Sequence, residues 1–145
     1  MLFRQLFDAI SSTYTYILGC KTCNDAIIID PVFEQHNRDS ALLRELGLTL
    51  KYTIDTHIHA DHVTGSWLLK ESEGAKIALS ENYDAMGVDL KLKDGMSLSF
   101  GKHSITALST PGHTAGCLTF VTRESLTAFT GDCLLIRGVG RTDFQ

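Results

Sequence analysis

The sequence is short of several things, and each shortage removes a class of explanation. Basic residues are outnumbered, 13 against 17 acidic, for a formal net charge of −4. No basic stripe is present, so nucleic acid is not an expected partner. No apolar run approaches the roughly 18 residues of a membrane span, so no membrane partner is expected either. The N-terminal MLFRQLFDAISSTYTY lacks a basic-then-apolar signal with a small-residue cleavage site. The expected location is the cytoplasm, with reduced thiols. Four cysteines do not make a disulfide framework here. Cys20 and Cys23 form a lone C-K-T-C between two expected strands, which reads first as a turn and second as an accessory metal or redox pair. Cys117 and Cys133 are expected to be small buried residues near a site. There is no internal repeat and no low-complexity segment. What remains is 145 residues, 43% hydrophobic, enough for one domain with a real core and too few for two.

Hydrophobic periodicity outlines the elements. TYTYILG (13–19) alternates as a half-buried strand does. DAIIID (25–30) is a buried β-branched strand stopped by Pro31. EQHNRDSALLRELG (34–47) predicts a helix, with Leu42, Leu43 and Leu46 on one face and Gly47 as the cap. LKYTID (50–55) is a strand that delivers the chain to His57. TGSWLLKESEG opens and closes a short amphipathic helix. AKIALS (75–80) is a strand, followed by a loop and an Asp94-Gly95 turn. MSLSF and HSITALS (103–109) form a hairpin about Gly101-Lys102. GCLTFVT (116–122) and SLTAFTG (125–131) form another about Arg123-Glu124. The order predicts α/β layering with a meandering sheet, not a regular βαβ array. Ending at RTDFQ, these strands alone would leave a face or an edge uncovered, for a partner chain or a larger fold to fill.

THIHADHVTGS (56–66) holds half of the six histidines. Neutral imidazole is a common ligand for zinc, iron and nickel. His57 and His59, two apart after a strand, would point the same way in extended chain and can face one cation. Asp61 and His62 fall on the turn that opens the helix and would aim at a neighbouring position, since paired metals lie about 3.5–4 Å apart. In STPGHTAGCLTF, His113 follows a Pro-Gly turn between two strands. In AFTGDCLLIRG, Asp132 follows an apolar strand, and an aspartate in apolar company is costly unless paired or bound to a metal. Three strand ends thus each present a donor. His36 and His103 are expected on the surface.

These pieces resemble the metallo-β-lactamase superfamily: THIHADH matches its H-x-H-x-D-H signature, TPGHT its separate histidine and TGD its aspartate. FRQLFD, SSTYTYIL, IIIDPV, TPGHTAGCLTFV and AFTGDCLLIRGVGRTDFQ are similar, more closely, to the persulfide dioxygenases, and this similarity runs from Phe3 to Gln145. The resemblance implies an αββα sandwich of which this chain is the N-terminal portion, as one domain, with the C-terminal half after RTDFQ missing. It implies one iron(II) per chain, held by His57, His113 and Asp132, a set that leaves positions open for oxygen and substrate. His59, Asp61 and His62 would then hold ligand tautomers and orientation by hydrogen bonds. Arg141 would contact a substrate anion or order its loop, and Asp143 would support the ligands as an outer carboxylate. The implied reaction is oxidation of glutathione persulfide, or a related small persulfide, by O2 to sulfite and thiol. Because the relatives are longer, a homo-oligomer or a complementing chain is expected to cover the missing half. A glyoxalase II-type thioester hydrolase is the alternative, with two zinc ions: His57, His59 and His113 on one, Asp61 and His62 on the other, Asp132 bridging. A metal-binding half-domain acting through association, without catalysis, is the third reading.

Overall fold

The computed structural model describes residues 1–143, which contain ten strands and two α-helices. The strands are β1 (Leu2–Asp8), β2 (Thr13–Gly19), β3 (Asp25–Ile29), β4 (Thr49–Ile54), β5 (Lys76–Ser80), β6 (Leu90–Leu92), β7 (Ser97–Phe100), β8 (His103–Ser109), β9 (Leu118–Thr122) and β10 (Thr127–Phe129). The helices are α1 (His36–Glu45) and α2 (Ser66–Glu73). One sheet runs β1-β2-β3-β4-β5-β6 and the other β10-β9-β8-β7.

The isoleucine run shows why the layers form. Successive strand side chains leave opposite faces, and a strand covered on both faces is apolar throughout. In β3, Ile27 and Ile29 enter the core between the sheets, where they join Leu18, Ile54, Phe100, Ile105 and Phe120. Ala26 and Ile28 enter the other core, against Leu43 of α1 and Leu69 of α2. Among the described residues both helices therefore cover one outer face, giving helix, sheet, sheet: three layers of the expected four. Truncating a buried aromatic such as Phe120 would cost about 3–5 kcal/mol.

Most predicted elements are in place, and Gly47 has the left-handed φ of +65° expected of a cap. The differences have simple causes. Phe33–Gln35 forms a separate 3-10 turn, so α1 begins two residues later than predicted. β1 was not foreseen; it is an edge strand whose side chains are mostly exposed, so it shows no alternation. β6, three residues long, is too short to show a period. The centre of the first sheet is also more regular than a meander: β3, β4, β5 and β6 are parallel neighbours. α1 and α2 are the crossovers of two βαβ units.

Parallel pairing decides where the chemistry goes. Ile29 pairs with Ile54, so β3 and β4 end side by side and their following residues, Asp30 and Asp55, emerge together. β4 leads directly into the histidine loop. At the same end, the Leu118 N–H of β9 donates to the Thr56 carbonyl at 2.8 Å, joining the two sheets.

Candidate metal centre

Thr56 organises the first part of the site. Its N–H donates to Oδ1 of Asp30 at 2.7 Å, and its hydroxyl donates to Oδ2 at 3.0 Å. That hydroxyl has one proton, already committed, so it accepts from Nδ1 of His57 at 2.9 Å. Across the gap, Nδ1 of His113 lies 2.7 Å from the Arg141 carbonyl, which can only accept. Both rings are thereby protonated at Nδ1, leaving a lone pair on each Nε2. These Nε2 atoms face Oδ2 of Asp132 at 4.0 Å for His57 and 3.5 Å for His113. Burial, reinforced by the charge on His59, pushes the His57 pKa down to about 4, so the ring is neutral. Two lone pairs and a carboxylate turned toward one another repel unless a cation lies between them. Ligand atoms from all three residues fall within 4.8 Å of one another, which fits a metal ion with further positions open.

Gly131 makes this approach possible. Its φ is +50°, and a Cβ there would lie 2.8 Å from Cβ of Thr56. A side chain would push Asp132 away from the histidines, or displace the threonine that orients one of them.

His59 behaves differently. Its Nε2 donates to Oδ1 of Asp30 at 3.1 Å. Burial alone would lower its pKa, but the Asp30 hydrogen bond and the charges of Asp30, Asp55 and Asp61 lift it to about 9. Asp55, fully enclosed, is raised to about 6 by burial and then by the Asp30 charge, while the Thr64 and Ser66 hydroxyls donate to it. Nδ1 of His62 sits 3.2 Å from Oδ2 of Asp61 and 3.2 Å from the Thr13 hydroxyl. Among the described residues, no hydrogen-bond partner reaches its buried Nε2. His59, Asp61 and His62 form a second set of ligand atoms within 4.8 Å. A groove of about 410 Å³ opens beside His57, His59 and His62, walled by Ile58, Trp67 and Met86.

His57 and His59, expected to face one cation, have different partners in the structure. The chain bends after β4 instead of staying extended. The two ring centroids are 4.0 Å apart, but the first ring turns to His113 and Asp132 and the second to Asp30. Asp132 is not in apolar company either: its side chain is 47% exposed, and Leu134, Leu135 and Ile136 are exposed beside it. Cys117 is buried as expected, whereas Cys133 is only partly so. The Arg141 and Asp143 side chains close on each other at the surface, at 2.6 and 2.5 Å. It is the Arg141 main chain that touches His113. Phe144 and Gln145, the end of the RTDFQ stretch, lie outside the described residues.

Sequence reasoning missed Asp30, Asp55, Thr56 and Thr13. Asp30 and Asp55 each directly follow a strand, as Asp132 closely follows β10, and both are buried. No pattern marked Thr13, which reaches the loop from the start of β2. Nor did any mark Tyr83, whose hydroxyl bonds that of Thr114, beside His113.

Comparison with known proteins gives the family. The family model "Metallo-beta-lactamase superfamily" matches residues 10–145. The chain is 47% identical over all 145 residues to the Homo sapiens protein named persulfide dioxygenase ETHE1, mitochondrial, and spans 57% of that relative's length. It is 40% identical over 103 residues to a hydroxyacylglutathione hydrolase of Brucella ovis, covering 70% of this chain and 40% of that one. The crystal structure of ETHE1 from Myxococcus xanthus superposes with a TM-score of 0.95 at 45% identity, over 100% of this chain and 63% of that one. The mixed α/β fold, the paired sheets and the histidine-aspartate cluster thus have one source: the chain belongs to the metallo-beta-lactamase superfamily.

Proposed function

We propose that the chain provides the metal-binding portion of a non-haem iron(II) persulfide dioxygenase, with His57, His113 and Asp132 as ligands. The observation that carries this reading is the hydrogen bonding of the two histidines. Each is fixed at Nδ1 by an acceptor, so each Nε2 lone pair is directed at the Asp132 carboxylate. The identity of 47% along the whole chain to a persulfide dioxygenase supports the choice among metal chemistries. The net reaction is RSSH + O2 + H2O → RSH + H2SO3, both oxygens of O2 passing to the outer sulfur.

Iron, when bound, supplies the one-electron chemistry with O2 that side chains lack. The protein's part is position and charge. Asp30, through the Thr56 hydroxyl, holds His57 in one tautomer and one orientation. The Arg141 carbonyl does the same for His113. The His59 cation at the groove wall suits an anionic persulfide, and Ile58, Trp67 and Met86 offer an apolar flank to the rest of the thiol. Glutathione persulfide is the substrate in this reading. The compartment in this reading is the cytoplasm.

A second reading has its own support. His59, Asp61 and His62 can gather around a second ion, the buried Nε2 of His62 lacks a hydrogen-bond partner among the described residues, and a hydroxyacylglutathione hydrolase is among the relatives. The deciding experiment measures metal content and turnover on the purified chain. One iron per chain with O2 uptake on glutathione persulfide supports the dioxygenase. Two ions with anaerobic cleavage of a glutathione thioester supports the hydrolase and removes the first reading. Because the chain spans 57% of its human relative, the same sample is weighed in solution. Turnover confined to a dimer, or to a mixture with a second chain, would assign the remainder of the site to a partner.

A further inference from the structure

The C-K-T-C segment has no part in the metal centre. It joins β2 to β3 at the N-terminal end of β3, whereas Asp30 follows the C-terminal end. Five strand residues at about 3.3 Å each place it roughly 16 Å away. The segment is a closed turn: Asn24 N–H donates to the Cys20 carbonyl at 2.7 Å, Cys20 N–H donates to the Asp25 carbonyl at 2.8 Å, and Asn24 has a φ of +60°. The Asn24-to-Cys20 bond closes a five-residue turn that contains both cysteines, and a disulfide spans about 4.4–6.8 Å between Cα atoms. The Thr22 hydroxyl lies 3.3 Å from Sγ of Cys20 and 3.6 Å from Sγ of Cys23, so the two sulfurs flank one oxygen.

Cys20 is buried but hydrogen-bonded at its sulfur, and Cys23 is exposed. The turn rests on the Gly101-Lys102 turn between β7 and β8. A Cβ at Gly101 would lie 2.7 Å from Sγ of Cys20 and 3.0 Å from Cβ of Cys23. This contact aims the Lys102 N–H at the Cys20 sulfur. The Thr22 hydroxyl and the N–H groups of Thr22 and Cys23 add to it, and together they bring the thiol down to about 6. Cys133, by contrast, is raised by burial. Cys20 is buried and Cys23 exposed, which gives the pair one sulfur held as thiolate and one open to solvent. Neither joins any of the metal-ligand groupings among the described residues, so redox chemistry accounts for the pair better than metal binding does.

We propose that Cys20 and Cys23 are a redox-active dithiol that exchanges with low-molecular-weight disulfides and closes to an internal disulfide. The exposed Cys23 gives up its thiol proton as its sulfur attacks one sulfur of RSSR. A Cys23–SR bond forms, the RS–SR bond breaks, and RS⁻ leaves and takes up a proton. The Cys20 thiolate then attacks Sγ of Cys23, forming the internal bond and expelling the second RS⁻, which is also protonated. Two electrons pass from the cysteines to the small disulfide; the Cys23 proton and one proton from solvent, which had taken up the Cys20 proton when that thiolate formed, go to the released thiols.

The test equilibrates the full chain anaerobically with glutathione and glutathione disulfide in graded ratios, followed by alkylation, intact mass and peptide mapping. The expected result is loss of two alkylation sites and a Cys20–Cys23 bridge at ratios that leave Cys117 and Cys133 alkylatable. A stable glutathione adduct on Cys23 without an internal bridge overturns the proposal, as does bridging of Cys117 and Cys133 first. A second measurement follows thiolate ultraviolet absorbance against pH in the Cys23→Ser chain with Cys117 and Cys133 also changed to Ser. A midpoint well below the ordinary thiol value of about 8.5 supports the proposal, and an ordinary midpoint overturns it.

Discussion

His57 and His59 have ring centroids 4.0 Å apart, stand two residues apart in sequence, and share one acid, Asp30. Their states are opposite. Asp30 reaches His57 through the Thr56 hydroxyl, and that ring stays neutral with Nε2 free to bind. It reaches His59 directly, takes up Nε2 in a hydrogen bond, and keeps that ring cationic. Burial and the neighbouring His59 charge keep one ring neutral and suited to a metal, while the direct Asp30 hydrogen bond keeps the other cationic and suited to an anion. The residue types of H-x-H do not reveal this; the surroundings of each ring do.

The sharpest break of the comparison is deletion on each side. His113→Ala removes an Nε2 lone pair aimed at Asp132 and should weaken iron binding on the order of 100-fold or more, read as metal retained after desalting. His59→Ala should leave iron binding nearly intact while lowering turnover about 10- to 100-fold, checked by metal analysis beside O2 uptake. If His59→Ala strips the metal as fully as His113→Ala, the assignment of the two rings is wrong. A smaller effect tests the hydroxyl itself. Thr56→Val keeps the volume but removes the acceptor for Nδ1 of His57, and should cost about tenfold in iron affinity, while Thr56→Ser restores it. Equal loss in Val and Ser would mean that packing, not the hydrogen bond, matters at this position.

How far the sequence reached depended on the range of the physics involved. Strands buried on both faces, such as Ile27–Ile29, and glycine stops, such as Gly47, carry their signal within a few residues and were legible. β1 was not, because an exposed edge strand is stabilised by pairing with β2, a partner no window of β1 contains. The three proposed donors, His57, His113 and Asp132, were legible as residue types at strand ends, and the fold brings them together. Which ring faced which partner was not, since it depends on a bend after Ile54 and on Asp30, far away in sequence. Asp30 and Asp55 escaped notice because their closeness comes from parallel register, which no local pattern reports.

The proposed donors follow β4, β8 and β10, so His57 leaves the ribosome well before Asp132 exists. For seconds during synthesis, at ordinary elongation rates, a nascent chain offers imidazoles but no matching carboxylate. Stable loading of the ion therefore belongs to a late step, when the final hairpin has closed on its sheet. Retained metal then serves as a marker of completed tertiary assembly in this chain, and a mutation that unpairs β10 should be noticed first as an empty centre rather than as a melted protein.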